Sequence, residues 1–358
     1  MLLFNPISGY WVNTNKPGGR VYFVGGGTTA AKGKTGTGIT ASDTNDGQDP
    51  TRPLSTISQA HTLARAGAGD TIVLLPGSIT VTAAIAITKA DLTLMGYTPV
   101  QPGDYCPSII TAAATYDLNV IQVDADNVTI DGIGFEAGFT TVTANQEVVQ
   151  VNSTNTTTSI FGCVIQNCFF DMTRAAGAAS ASDTDLDVIR VGLDSNDSAI
   201  NSTVRGCTIK GYDQDGIVIA AGSTGCVIEN NRIYDGVGSE LGRMGVSILA
   251  VGAIVRNNWI YAGTTSDTAG PISVGVATAR AVITDNHLVA WGADTVGITA
   301  IDTATFHSAR NYIHAVAAGN IIDYKVSATV PSSNIDWGNV EGTNPTIGVL
   351  VTATVAGT

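Results

Sequence analysis

The chain has 358 residues, with Lys+Arg 17 against Asp+Glu 30 and a formal net charge of -13. That balance repels nucleic acid and anionic membranes, and no apolar run approaches the roughly 18 residues that a membrane-crossing helix needs. Aromatic residues make up 6% and charged residues 13%, while Gly numbers 41; the mix favours strands and turns over helices.

Residues 1–41 read as an N-terminal arm and loop. MLLFNPISGYW opens without basic residues and with a short apolar run, so it does not read as a secretory signal. Phe4, Tyr10, Trp11 and Tyr22 give residues 1–24 the character of a docking arm, and 25–41 is rich in Gly, Thr and Ala. Residues 42–68 read as an Asx-rich turn and a capping helix. SDTNDGQDPTRPLSTI (42–57) crowds acids and amides together, and Asp43 and Asp46 are its candidate metal ligands. The pattern departs from a calcium-binding EF-hand loop, because Gly47 comes one residue early and Leu54 stands where the bidentate glutamate belongs. A turn that fixes the chain's approach to the helix needs no metal. Ser55 is the expected N-cap of a helix within 55–66, with Ile57, Ala60 and Ala64 on one face. Asp70 to Gly77 then reads as a strand and a Pro-Gly turn.

From residue 69 to 335 the chain repeats itself. CVIQNCFF (163–170), STVRGCTI (202–209), CVIENNRI (226–233), AIVRNNWI (253–260), AVITDNHL (281–288) and FHSARNYI (306–313) share one frame. One column reads Tyr97, Ile133, Cys168, Cys207, Asn231, Asn258, Asn286, Asn311, and the column before it reads Gly96, Gly132, Asn167, Gly206, Asn230, Asn257, Asp285, Arg310. Gly, Asn and Asp tolerate left-handed backbone angles, so a tight turn recurs once per repeat. A second strand recurs as VIQV (120–123), VVQV (148–151), VIRV (188–191), IVIA (217–220), VSIL (246–249) and ISVG (272–275). Strand-rich units of about 25–30 residues stacked on copies of themselves form a parallel solenoid. Asn231, Asn258, Asn286 and Asn311 are then an inward ladder, each bonding the next coil. The five cysteines read as small buried thiols, Cys168 and Cys207 being neighbours in the ladder column.

Residues 42–80, running SDTNDG, a proline, a short helix and GDTIVLLPG, resemble the start of right-handed parallel β-helix proteins of the pectate-lyase-like superfamily, with Ile79 where an aromatic is usual. The resemblance implies an all-β, single-stranded right-handed parallel β-helix with a short N-terminal capping helix. That superfamily holds pectate lyases, polygalacturonases, esterases and phage tailspike glycosidases beside non-enzymatic shafts and adhesins, and fold alone does not choose among them. The NTDG, paired-aspartate, GHG and RIK motifs of polygalacturonases are absent here.

The residues expected to point outward on the second recurring strand are Gln122, Gln150, Arg190, Val218, Ser247 and Ser273, which is no stack of carboxylates. Just upstream, Asp185 and Asp187 on one repeat face Asp213 and Asp215 on the next. This cluster reads as a solvated turn, with a calcium site or a catalytic acid pair as alternatives. Trp259 and Trp291 read as core or protomer contacts rather than sugar platforms. The tail 336–358 contains the alternating strand TIGVLVTATV (346–355), which needs a partner. No cofactor is expected, and calcium is the cation the aspartates would take. The leading expectation is a non-enzymatic structural protein on a virion or other particle surface, most like bacteriophage β-helices. It would form a homotrimer that touches particle proteins through residues 1–24 and the tail, and it could contact host polysaccharide. The alternative is a carbohydrate-active enzyme, either a polysaccharide lyase or a glycoside hydrolase.

Overall fold

The computed structural model describes residues 2–5, 10–13, 19–25, 40–97, 106–113, 119–136, 146–152, 158–172, 186–193, 198–212, 215–234, 244–262, 271–275, 280–290, 295–300, 306–315, 321–326, 335–337 and 340–342. Three parallel sheets run the length of these residues. The first has eleven strands, from Val21–Val24 to Ile335–Trp337. The second has ten, from Gly77–Val81 to Val340–Gly342, and the third nine, from Ile85–Ile87 to Ile321–Val326. The chain visits the three in turn, so each circuit is one coil of a right-handed parallel β-helix.

Alternation explains the core. In the first sheet Leu94, Ile130, Ile165, Val204, Ile228, Val255 and Ile283 lie side by side on successive coils. In the second, Phe135 pairs with Phe170, then Ile209, Ile233, Ile260, Leu288 and Ile313 follow. The Phe135 and Phe170 rings stack at 4.8 Å. Parallel strands place each side chain over its equivalent one coil away, so a β-branched or aromatic position propagates as a column. Gly245 shows how closely the walls approach: a Cβ there would sit 2.2 Å from Ile260 Cγ2.

The turn between the first and second sheets is left-handed, as its residue types predict. Asn167, Asn230, Asn257, Asp285 and Arg310 have φ of 53, 57, 55, 58 and 54°. The next column forms the asparagine ladder. Asn231 Nδ2 donates to Asn258 Oδ1 at 3.0 Å, Asn258 Nδ2 to Asn286 Oδ1 at 2.9 Å and Asn286 Nδ2 to Asn311 Oδ1 at 2.9 Å. Each side-chain oxygen also accepts the backbone N–H of the preceding coil, at 2.9–3.0 Å. A second left-handed column precedes the first-sheet strands at Asp91, Asn127, Gly162, Asn201, Gly225, Gly252 and Arg280.

Four readings change. Val21–Val24 is no part of a detached arm; it pairs with Thr71–Leu74 as the opening strand of the first sheet, and Tyr22 is buried. The helix runs Ile57–Leu63, and its N-cap is Thr56 rather than Ser55: extended Thr56 accepts the Gln59 N–H at 3.1 Å. Ile57, Ala60 and Ala64 do face the core. Trp259 lies half-buried on the outer face of the second sheet, because its neighbour Ile260 takes the inward position. Asp187 and Asp215 belong to strands and are buried, not set in a solvated turn. Asp185, Asp213, Trp291 and the tail 346–355 lie outside the described residues, whereas Leu2–Asn5 and Tyr10–Asn13 pair antiparallel as a separate two-stranded sheet.

The opening acidic turn is spent on the cap. Asp43 Oδ1 accepts the Ser55 and Thr56 amides at 2.9 and 3.0 Å, and Oδ2 accepts the Thr56 hydroxyl at 3.0 Å. Asp46 Oδ1 accepts the Gln48 N–H. Beneath the helix, fully buried Asp70 accepts from the Arg20 and Arg65 amides at 2.7 and 2.8 Å and from Arg65 Nη2 at 2.7 Å. Burial alone would raise this carboxyl, but the Arg65 and Arg20 hydrogen bonds outweigh it and hold it below 3.8. A carboxyl lowered in this way contributes stability that is present above its unfolded value and is lost as pH falls through its folded value. Asp70→Asn should therefore lower the melting temperature by a few degrees at neutral pH and remove one component of the acid-induced loss. Melting curves between neutral pH and pH 3 test this, and an unchanged acid limb would contradict it.

Candidate functional site

The third-sheet strands Gln146–Val151, Leu186–Val191 and Asp215–Ile219 carry an acidic column at one edge. Glu147 pairs in register with Asp187. Asp187 and Asp215 each lie two residues before the paired Ile189 and Ile217. The exposures of Glu147, Asp187 and Asp215 are 6%, 5% and 7%. Asp187 and Asp215 are thus brought together as their spacing suggests. Glu147 was missed because only aspartates were compared; it occupies the same place two residues before Val149.

Coils in a parallel sheet lie about 4.8 Å apart, so neighbouring carboxylates in a dry column repel unless charge is balanced. Arg190 supplies that balance. Its Nη1 donates to Asp187 Oδ2 at 3.0 Å, its Nε lies 3.8 Å from Glu147 Oε1 and its Nη2 reaches the Leu193 carbonyl at 3.3 Å. The Arg190 side chain is 25% exposed and gives the cluster its opening to solvent. Gln150, beside Arg190 in the register, accepts from Asn119 Nδ2, and Asn119 Oδ1 accepts the Glu147 N–H at 2.9 Å. The preceding coil thereby holds the Glu147 backbone, while its side chain meets Arg190 of the next coil.

Among the described residues no group of three or more His, Cys, Asp or Glu side chains is arranged to hold a metal ion. The cysteines are free and buried. Burial pushes Cys106 and Cys226 up to about 11 and Cys163 up to about 12, and raises Cys168 well above 9.0. Thiols raised in this way, those of Cys106, Cys163, Cys168 and Cys226, are poor nucleophiles near neutrality. The chemistry left to the column is that of carboxylates beside a guanidinium. Retaining glycosidases use carboxyl groups about 5–5.5 Å apart, and a lyase needs a base beside a cation that steadies developing negative charge. The column Gln122, Gln150, Arg190, Val218, Ser247 and Ser273 itself stacks no carboxylate, as expected; the acids lie three residues upstream of Gln150, Arg190 and Val218.

Among the described residues no helix is long and apolar enough to cross a membrane. No known protein-family profile matches the chain, and no curated protein matches its sequence. Solved structures do match. A GH136 lacto-N-biosidase from Eubacterium ramulus has TM-score 0.52 at 10% identity, over 90% of this chain and 67% of its own. A rhamnogalacturonan lyase has TM-score 0.50 at 12% identity, over 93% and 90% of the two chains. A pectate lyase has TM-score 0.47 at 13% identity, over 90% and 81%. At these identities the likeness is one of architecture alone: the chain folds as a right-handed parallel β-helix.

Proposed function

We propose that this chain is a carbohydrate-active protein, a polysaccharide lyase or glycoside hydrolase, whose chemistry takes place at the Glu147–Asp187–Asp215 column. The observation that carries this reading is the arginine-bridged column itself: Arg190 lies 3.0 Å from Asp187 and 3.8 Å from Glu147. Burying acids in register on successive coils costs stability that apolar residues would not cost, and the balanced guanidinium sets up unequal carboxylates as acid–base chemistry requires. In this assignment Asp187 is the charged member, Glu147 exchanges the proton and Arg190 steadies the anion.

The test is a panel of neutral and acidic polysaccharides scored for new reducing ends and for unsaturated ends. Wild-type protein should cleave at least one, and Asp187→Asn should lower the rate by about 10²–10⁴-fold. Unsaturated ends would make it a lyase, and their absence a hydrolase. An inert wild type, or an Asp187→Asn rate equal to wild type, would sink the reading.

A second reading, a structural protein on a virion or particle surface, draws on the separate antiparallel pair at the N-terminus, where Phe4 and Trp11 are register partners. Deleting residues 1–18 should abolish particle attachment under that reading and leave cleavage intact under the first.

A further inference from the structure

The outer face of the second sheet carries a line of amphipathic side chains. Arg232, Trp259, His287 and Tyr312 are neighbours in register on four successive coils. Tyr234 and Tyr261 run alongside, two residues on. Arg232, His287 and Tyr312 are exposed, Tyr312 by 41%, while Trp259, Tyr234 and Tyr261 are half-buried. The rings brace one another: Trp259 and Tyr261 lie near-parallel at 6.3 Å, and His287 meets Trp259 edge-on at 6.4 Å and Tyr312 at 4.8 Å. The Arg232 guanidinium sits 4.9 Å from the Tyr234 ring centre and 5.2 Å from that of Trp259.

We propose that this strip is a docking track for a uronate-bearing polysaccharide, separate from the acidic column on the third sheet. Its dimensions suit a linear polymer. It is one or two side chains wide, it follows the solenoid axis, and its positions repeat at about 4.8 Å, on the scale of one sugar ring. Its chemistry suits a sugar, because each residue offers an apolar face and a polar edge, as a pyranose does. A protein partner would call for a broad apolar patch; among the described residues the exposed large hydrophobics are Leu63, Phe161 and Tyr312, on different elements.

Charge selects an acidic polymer. Among the exposed arginines, Arg65, Arg256 and Arg310 each bind a carboxylate, to Asp70, Glu229 and Asp285, and Arg205 binds the Gln166 amide oxygen. Arg232 binds none among the described residues, and lies against the two rings instead. Stacking leaves the guanidinium edge, with its fork of N–H donors, to meet a planar carboxylate. On a chain of net charge -13, a guanidinium seated on this strip of rings with no carboxylate bound is a place that a uronate polymer fits.

The test is affinity electrophoresis of the full chain in gels containing polygalacturonate, alginate or neutral dextran. Wild type should be retarded by a uronate polymer and not by dextran, less so as salt rises. Trp259→Ala should weaken uronate binding by about fivefold or more. Arg232→Ala should remove the salt-dependent part, and Arg232→Lys should restore some of it. Tyr312→Ala, at an exposed position that folding does not need, serves should Trp259→Ala lose its cooperative melt. Asp187→Asn should bind as wild type does, so failed cleavage with intact binding would count against the acidic column alone. The track is overturned if wild type ignores both uronate polymers, if dextran retards it equally, or if all the strip variants bind as wild type. It is also overturned if light scattering shows a dimer that Trp259→Ala dissociates, since the strip would then be a self-interface.

Discussion

Asn258→Leu should lower stability by about 3–5 kcal/mol, more than an ordinary core substitution of similar size. Asn258 Oδ1 accepts two bonds from Asn231, from its N–H at 2.9 Å and its Nδ2 at 3.0 Å. Its Nδ2 donates to the Ile228 carbonyl at 3.0 Å and to Asn286 Oδ1 at 2.9 Å. Leucine removes all four and strands the Asn231 backbone N–H in a dry interior. A buried unsatisfied polar group costs about 1–3 kcal/mol, and several are affected together. Each ladder residue also supports the next, so the loss spreads to adjacent coils. Denaturant unfolding of the folded variant is the check, and an unchanged midpoint would show that the column does not carry the turn.

Arg190→Ala should cost about 3 kcal/mol, because it leaves Asp187 and Glu147 facing each other without their shared cation. The loss comes from the buried carboxylates more than from the exposed part of the arginine. Adding Asp187→Asn to Arg190→Ala should therefore recover part of it, since one buried charge disappears. A double-mutant cycle reads this directly. If the two changes add without recovery, Arg190 is not balancing the column.

The solenoid was legible because its rules are local and repeated. Left-handed angles demand Gly, Asn or Asp, so the turn column showed itself at Asn167, Asn230, Asn257 and Asp285. The outward column Gln122, Gln150, Arg190, Val218, Ser247, Ser273 is the observed register. Less regular features escaped. Val21–Val24 is separated from its partner Thr71–Leu74 by the whole cap, so no repeat spacing marked it. The second left-handed column follows connections of unequal length, and its residue types resemble any loop. Glu147 stood in the aspartates' column but differed in residue type. Of the two readings of Trp259, core or protomer contact, the core one fails, because alternation about the inward Ile233, Ile260, Leu288 and Ile313 assigns its neighbours to the outer face. Register therefore outranks hydrophobicity in this fold.

The most direct measurement of the central claim is the chain length of a uronate polymer incubated with wild type, Asp187→Asn and Trp259→Ala under identical conditions. The polymer should shorten with wild type, keep its length with Asp187→Asn although that protein remains bound, and shorten more slowly with Trp259→Ala at low polymer concentration. A polymer cut equally fast by Asp187→Asn, or left intact by wild type, would contradict the placement of the chemistry on the acidic column.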